Sequence, residues 1–416
     1  MTAAPCTRAV LGAAALVLAP ALGCGVPTPP AGTGGGTFPE GPCGRGLVVV
    51  ETDYQSTNVA LVGGDGATLS GSFLSSASAP PGLVAPLSGD VVVPTAPVTG
   101  AELVLVDRYP AAVLSWVELA TATVRAQLDV STGFASNPQD YLALGPGEAL
   151  VARYEDNPTP GALAFDGGSD LLVIDPSVPS ITGRVDLRPA IEVPGYLPRP
   201  ARLVATAGGR VFVLLSAYAP DFKSSLPSRL AEIDVASQAL VGVTVLGDLH
   251  GCAALAPSED GTRLAVACSG DFGGDSLPTV GASGLALVDV AGTPSVVAEL
   301  PASGLGGEPL GFAVDFAGAD RVLVTTLGHY GLGGAADVPD SLLEVDAAGQ
   351  ATEVRSAPPF TLGDVRCLRA CGGCFVADAA AGVLARLRLE PGGVVPDAEL
   401  VVESAIGLPP RLLGRF

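Results

Sequence analysis

Apolar residues recur along this chain in short runs of strand length, and each run is closed by Gly, Pro, Asp or Ser. The clearest set reads Cys252-Ala-Ala-Leu-Ala, Arg263-Leu-Ala-Val-Ala-Cys268, Leu285-Ala-Leu-Val-Asp-Val290 and Ser295-Val-Val-Ala-Glu-Leu300. An acidic-Gly turn joins the first two runs and Ala-Gly-Thr-Pro joins the last two. Four such strands make one small antiparallel sheet, which cannot bury both faces alone and must stack on copies of itself.

The copies are present, at a period of about 50 residues. Naming the strands of each unit a to d from the inside outward, Leu47–Glu51, Asn58–Val62 and Thr68–Leu74 supply b, c and d of a first unit that lacks its a strand. Complete units begin at Val91, Tyr141, Arg202, Cys252, Leu310 and Val365. One run remains, Arg411–Phe416, and it supplies the missing a strand. The pattern therefore predicts an all-β, seven-bladed β-propeller of four-stranded blades, closed by pairing of the C-terminal strand with the first N-terminal one, an arrangement that removes most exposed edges.

The c strands end in Ile174-Asp175, Ile233-Asp234, Val288-Asp289 and Val345-Asp346. This pattern resembles the surface-antigen (YVTN) type of propeller repeat, over about nine-tenths of the chain. The Asp is expected to cap the turn into the d strand rather than to do chemistry.

The N-terminus breaks the pattern. Arg8 precedes an unbroken apolar run, Ala9–Ala19, too short to span a membrane. Ala21-Leu22-Gly23-Cys24 follows and resembles the lipobox of bacterial lipoprotein signal peptides, with Ala and Leu transposed relative to the usual order. The resemblance implies a signal peptide over 1–23, lipidation of Cys24 and, because Gly25 follows the cysteine, sorting to the outer membrane; ordinary signal cleavage is the competing reading. Residues 24–46, rich in Pro and Gly, read as a tether, and 47–416 as the propeller. The net charge of −21 argues against nucleic acid as a partner.

Loop lengths distinguish the two ends of the ring. The b–c loops of the middle blades are long, and with the d–a loops they form one elaborated face. Tyr54, Tyr109, Tyr154, Tyr218, Phe272 and Tyr330 fall at the end of the b strand of their own blades, Tyr141 and Tyr196 fall near the same end, and Asp271, Asp275 and His329 lie beside them. Aromatic area flanked by charge is the composition of a binding face. The same positions also suit rings that plug the gaps between blades.

The alternative is a metal-dependent hydrolase, lactonase-like or phosphodiesterase-like. Asp90, Asp140, Asp248 and Asp364 stand near the starts of a strands, where they could ring a channel mouth and hold a divalent cation such as calcium. No nucleophile elbow, phosphate-cradling loop or paired-His motif is present in the sequence.

Six cysteines remain once Cys6 and Cys24 are set aside, an even number in a chain read as exported. Cys252 and Cys268 face each other across an a–b hairpin. Cys43, Cys367, Cys371 and Cys374 allow Cys43–Cys371 with Cys367–Cys374, or Cys43–Cys367 with Cys371–Cys374. The sequence thus predicts a lipid-anchored envelope propeller that binds a protein or envelope component through its loop-rich face, with no cofactor.

Overall fold

The computed structural model describes residues 34–206, 208–271, 280–331 and 333–416. The predicted apolar runs fall on strands, except that the outer strand of the last unit, read at Glu399–Val402, runs over Gly393–Leu400. Blade 1 holds β1 (Leu47–Thr52), β2 (Thr57–Val62) and β3 (Thr68–Ser75); blade 2 holds β4 (Val91–Val92), β5 (Glu102–Asp107), β6 (Val113–Glu118) and β7 (Val124–Asp129). Blade 3 holds β8 (Pro138–Gly145), β9 (Glu148–Asp156), β10 (Gly168–Asp175) and β11 (Ser180–Asp186); blade 4 holds β12 (Pro200–Ala205), β13 (Val211–Leu215), β14 (Arg229–Asp234) and β15 (Ala239–Val245). Blade 5 holds β16 (Cys252–Pro257), β17 (Arg263–Cys268), β18 (Gly284–Asp289) and β19 (Ser295–Pro301); blade 6 holds β20 (Leu310–Gly318), β21 (Arg321–Thr326), β22 (Asp340–Asp346) and β23 (Ala351–Ala357). Blade 7 holds β24 (Leu362–Leu368), β25 (Gly373–Asp378), β26 (Val383–Glu390) and β27 (Gly393–Leu400), and the last strand is β28 (Pro410–Arg415).

The sheet orders are consecutive in six blades, and the seventh reads β28-β1-β2-β3. The C-terminal strand thus fills the inner position of blade 1, with Val49 opposite Leu413 and Val48 opposite Gly414. The second strands have apolar centres because both faces of each blade are covered by neighbours. The core is accordingly a series of layers between blades, one of which joins Leu47, Val49, Phe375, Leu384 and Leu413 across the closure.

The aspartates ending the third strands cap turns as expected. Asp175 accepts the N–H of Ser177 at 2.8 Å, Asp234 that of Ser237 at 2.8 Å, Asp289 that of Ala291 at 2.8 Å and Asp346 that of Ala348 at 2.8 Å.

Three disulfides are present: Cys252–Cys268, Cys367–Cys374 and Cys43–Cys371. Register decides between the two pairings left open by the sequence, because Cys367 lies directly opposite Cys374. That leaves Cys371 for Cys43, which ties the segment before β1 to blade 7.

Part of the stretch read as tether is seated on the ring. Phe38 packs edge-on against Phe73 and Phe416, and Gly36 donates its N–H to Leu119 O at 3.1 Å. The physical reason is a large aromatic residue and a cysteine within a segment otherwise poor in anchors. The segment read as a signal peptide, Cys24 and the first part of the stretch read as a tether lie outside the described residues. Among those described, no helix is long and apolar enough to cross a membrane.

Candidate functional site

The b–c and d–a loops put aromatic side chains on the loop-rich face, and they do so in two distinct ways. Across blades 6, 7 and 1 the rings are exposed. Tyr330 is 58% exposed and packs at 6.0 Å on Phe360, from the loop entering blade 7. Arg411, at the start of the closing strand, donates to Phe360 O at 3.3 Å and lies 5.0 Å over the ring of Tyr54, which is 63% exposed. Blade 7 has Ala379-Ala-Ala381 where the other blades carry an aromatic residue, and Phe360 and Arg411 fill the gap in the row. Tyr109 adds a further exposed ring on blade 2.

Across blades 3 and 4 the rings gather around a cation, with Phe222 still 40% exposed on the outer side. The side chain of Arg199 is almost fully buried and stands 5.3 Å from the Tyr154 ring and 4.2 Å from Phe222. The two rings are parallel within 5°, and the guanidinium lies against both of them. Glu155 pairs with the same guanidinium. Burial pushes the Tyr154 hydroxyl up to about 12. Tyr218 is buried, packs on Phe222 and donates its hydroxyl to Gly270 O at 3.2 Å; burial raises its pKa as well. Tyr218 is therefore part of the scaffold and not of a contact surface, because the loop folds back on itself through a bridge between Tyr218 and Ser225. Tyr141, read as a rim residue, lies within β8, buried against Trp116 at 6.2 Å.

The polar residues of this face are mostly committed to loop structure. Asp340 is buried and accepts N–H groups from Gly328 at 2.7 Å, Phe360 at 3.0 Å, Thr361 at 2.7 Å and Leu362 at 3.0 Å. Asp107 is buried, its pKa raised by that burial, and accepts from Ser88. His329 is half-exposed, 3.6 Å from Glu308. Asp271 contacts His250 Nδ1 at 3.2 Å and accepts from Ser225, whose hydroxyl is 2.8 Å from the same nitrogen. A hydrolytic triad needs serine and carboxylate on opposite nitrogens of the imidazole, so this cluster lacks that geometry. Phe272 and Asp275 lie outside the described residues.

The four carboxylates considered for a channel metal are not brought together. Asp90 is paired with Arg108, at 3.0 Å from Nε. Asp140 is wholly buried and accepts the N–H groups of Thr95 at 2.9 Å and Leu203 at 2.8 Å; burial raises its pKa. Asp364 accepts from Leu413 N–H at 3.1 Å and lies 3.5 Å from Arg366. Asp248 is exposed. Among the described residues no three His, Cys, Asp or Glu side chains converge as metal ligands. A divalent ion needs several free carboxylate oxygens; arginines and backbone N–H groups occupy those of Asp90, Asp140 and Asp364, Asp248 stands apart on the surface, and the donor set does not fit such an ion.

These aspartates have a different task. Asp140 on β8 reaches Leu203 on β12, Asp315 on β20 reaches Cys367 N–H on β24 at 2.8 Å, and Asp364 on β24 reaches Leu413 on β28. Inner strands of neighbouring blades do not pair directly, so each carboxylate bridges one inner strand to the next. Arg415 on β28 also pairs with Asp315 on β20. The sequence placed Asp140 and Asp364 at the inner strands but carried no sign of the arginines opposite them.

No protein-family model matches the chain, and no curated protein sequence matches it. Solved structures do resemble it in fold. A provisionally assigned 6-phosphogluconolactonase from Bacteroides fragilis aligns at a TM-score of 0.55 with 12% identity, over 88% of this chain and 96% of its own. The counterpart from Bacteroides uniformis aligns at 0.52 with 12% identity, over 88% and 98%. A Lactobacillus plantarum protein aligns at 0.57 with 11% identity, over 88% and 98%.

Proposed function

We propose that this β-propeller is a non-catalytic binding or scaffolding module of the cell envelope, exported, held by a lipid on Cys24, and engaging a protein or envelope component through its loop-rich face. The fold is shared with proteins of different activities, so the site has to carry the reading. The observation that does so is the exposed row of Tyr330, Phe360 and Tyr54, continued by Tyr109 on blade 2. Rigid aromatic area with a polar tip is the composition of an interface centre, and water-exposed rings in a row are costly to keep without a partner.

The residues over 47–416 form the binding body, and the spacer from the lipid lies within residues 24–46. A hydrolase in the channel has less support, because Arg108, Arg366 and Arg415 neutralise the carboxylates that such chemistry would use.

The test is a pull-down from native envelope extract with the full chain, with and without EDTA. A second bait carries Tyr54→Ala, Tyr109→Ala and Tyr330→Ala together. A partner kept in EDTA and lost with the triple variant is the expected result. Identical captures by both baits would refute the aromatic face. A divalent ion co-purifying in near-stoichiometric amount, with no partner, would favour the hydrolase. Separately, Cys24→Ala is expected to move the protein out of the membrane fraction.

A further inference from the structure

Arginine stands two residues from the cysteine on both sides of one disulfide: Cys43-Gly-Arg45 on one side and Arg369-Ala-Cys371 on the other. The bridge ties the segment before β1 to the turn between β24 and β25, and so brings Arg45 and Arg369 to one place. Arg415 joins them, because β28 ends beside the start of β1, with Arg415 opposite Leu47. Gly44 makes the turn from Cys43 to Arg45 at a φ of +77°, and a Cβ there would stand 2.8 Å from Phe416 O. Only glycine suits such a turn pressed against the end of β28.

The three arginines line a cavity of about 330 Å³, with residues 97–99 of blade 2 and Glu259 of blade 5 as further walls. Walls from blades 1, 2, 5 and 7 place it at the mouth of the central channel, at the end of the ring opposite the loop-rich face. The volume suits a small ligand. The side chains of Arg45, Arg369 and Arg415 are only 17%, 17% and 19% exposed.

Their donors are incompletely used. Arg45 Nε donates to Phe38 O at 3.0 Å, and Arg369 Nη1 to Phe316 O at 2.9 Å. The acidic partners of these two are Glu40 at 3.6 Å and Glu259 at 3.4 Å, longer than ordinary hydrogen bonds. Both glutamates are largely exposed, so neither holds its arginine firmly. Buried Asp315 pairs with Arg415 Nη2, but Arg415 Nε is buried with no acceptor among the described residues. A guanidinium carries five N–H donors, and one buried without an acceptor costs free energy that an added acceptor restores.

We infer that this mouth is an anion site, at which Arg45, Arg369 and Arg415 hold a phosphate-type oxyanion. One arginine fork satisfies a carboxylate. Three guanidiniums arriving from three separate segments suit a doubly charged tetrahedral group with oxygens on several sides. The net charge of −21 opposes anions at a distance, but screening at physiological salt confines that effect to ~8 Å, so the groups touching the ligand decide. Free phosphate and the phosphate of a lipid headgroup share this chemistry. The site is separate from the aromatic row and does not depend on it.

Calorimetric titration of the full chain tests this, with inorganic phosphate and, separately, with glycerol phosphate as the soluble counterpart of a headgroup. Saturable binding of inorganic phosphate is expected; binding of glycerol phosphate alone would support the same site with a headgroup as the source. Arg45→Gln is expected to weaken binding at least about tenfold. Arg388→Gln, at an exposed arginine of blade 7, is expected to leave it unchanged. Glu259→Gln removes a competing carboxylate and is expected to tighten binding roughly twofold, a gain that misfolding cannot produce. A folded wild-type chain that binds neither compound overturns the inference. Equal affinities in Arg45→Gln and Arg388→Gln overturn it too, as does weaker binding by Glu259→Gln.

Discussion

Leu413→Ala probes whether the ring is closed by the last strand. Leu413 is fully buried, sits opposite Val49 in the β1–β28 ladder, and packs with Leu47, Phe375 and Leu384 in the layer between the last blade and the first. Truncation removes three carbons from a site whose walls belong to two different sheets. Each wall is held by its own ladder, so the cavity cannot collapse, and the loss falls in the range of about 2–5 kcal/mol measured for Leu→Ala in rigid cores. We expect about 3–4 kcal/mol. Leu412→Ala is the internal control: it lies on the same strand, only partly buried, and is expected to cost about 1–2 kcal/mol. Urea unfolding of both variants, with the slope of the transition compared to wild type, reads the two costs on one scale. If Leu413→Ala costs no more than Leu412→Ala, β28 does not occupy the inner position of blade 1 and the closure is wrong.

Asp170→Ala leaves the Arg153 guanidinium, fully buried with Nε and Nη2 each 2.8 Å from that carboxylate, without its partner; a loss of about 3–5 kcal/mol is expected by chemical denaturation. Replacing Cys43 and Cys371 by serine opens a covalent loop with a sequence separation of 328 and is expected to cost roughly 2–5 kcal/mol, read as a lowered unfolding midpoint under non-reducing conditions. Burial pushes the Glu51 carboxyl from its ordinary 4.5 to about 7. A raised carboxyl binds its proton more tightly in the folded state, so its contribution is complete below pH 4.5 and is lost as pH rises through 7. Relative to Glu51→Gln, wild type should lose about 3 kcal/mol across that interval, and parallel stability–pH curves for the two proteins would contradict this.

The blade count, the closing strand and the Cys252–Cys268 bridge were legible in the chain because each rests on local pattern. Apolar runs of strand length, separated by turn residues at a regular period, can satisfy their backbone only as stacked four-stranded sheets. The unpaired run Arg411–Phe416 had one vacancy to fill. The turn-capping role of Asp175, Asp234, Asp289 and Asp346 was equally local, since acceptor and donor lie two or three residues apart.

What the sequence could not determine involves contacts between residues of different blades. Tyr154, Tyr218 and Tyr330 occupy the same position in their repeats, yet only Tyr330 is freely exposed. The difference is Arg199, which enters from the next blade and draws Tyr154 and Phe222 around itself. Asp140 and Asp364 were placed on the right strands, but their partners, the N–H groups of Leu203 and Leu413, lie on other blades. Periodicity fixes which residues occupy equivalent places in each blade. Tertiary structure alone decides which neighbour reaches each one, because that depends on side-chain length and charge across a gap the repeat does not encode.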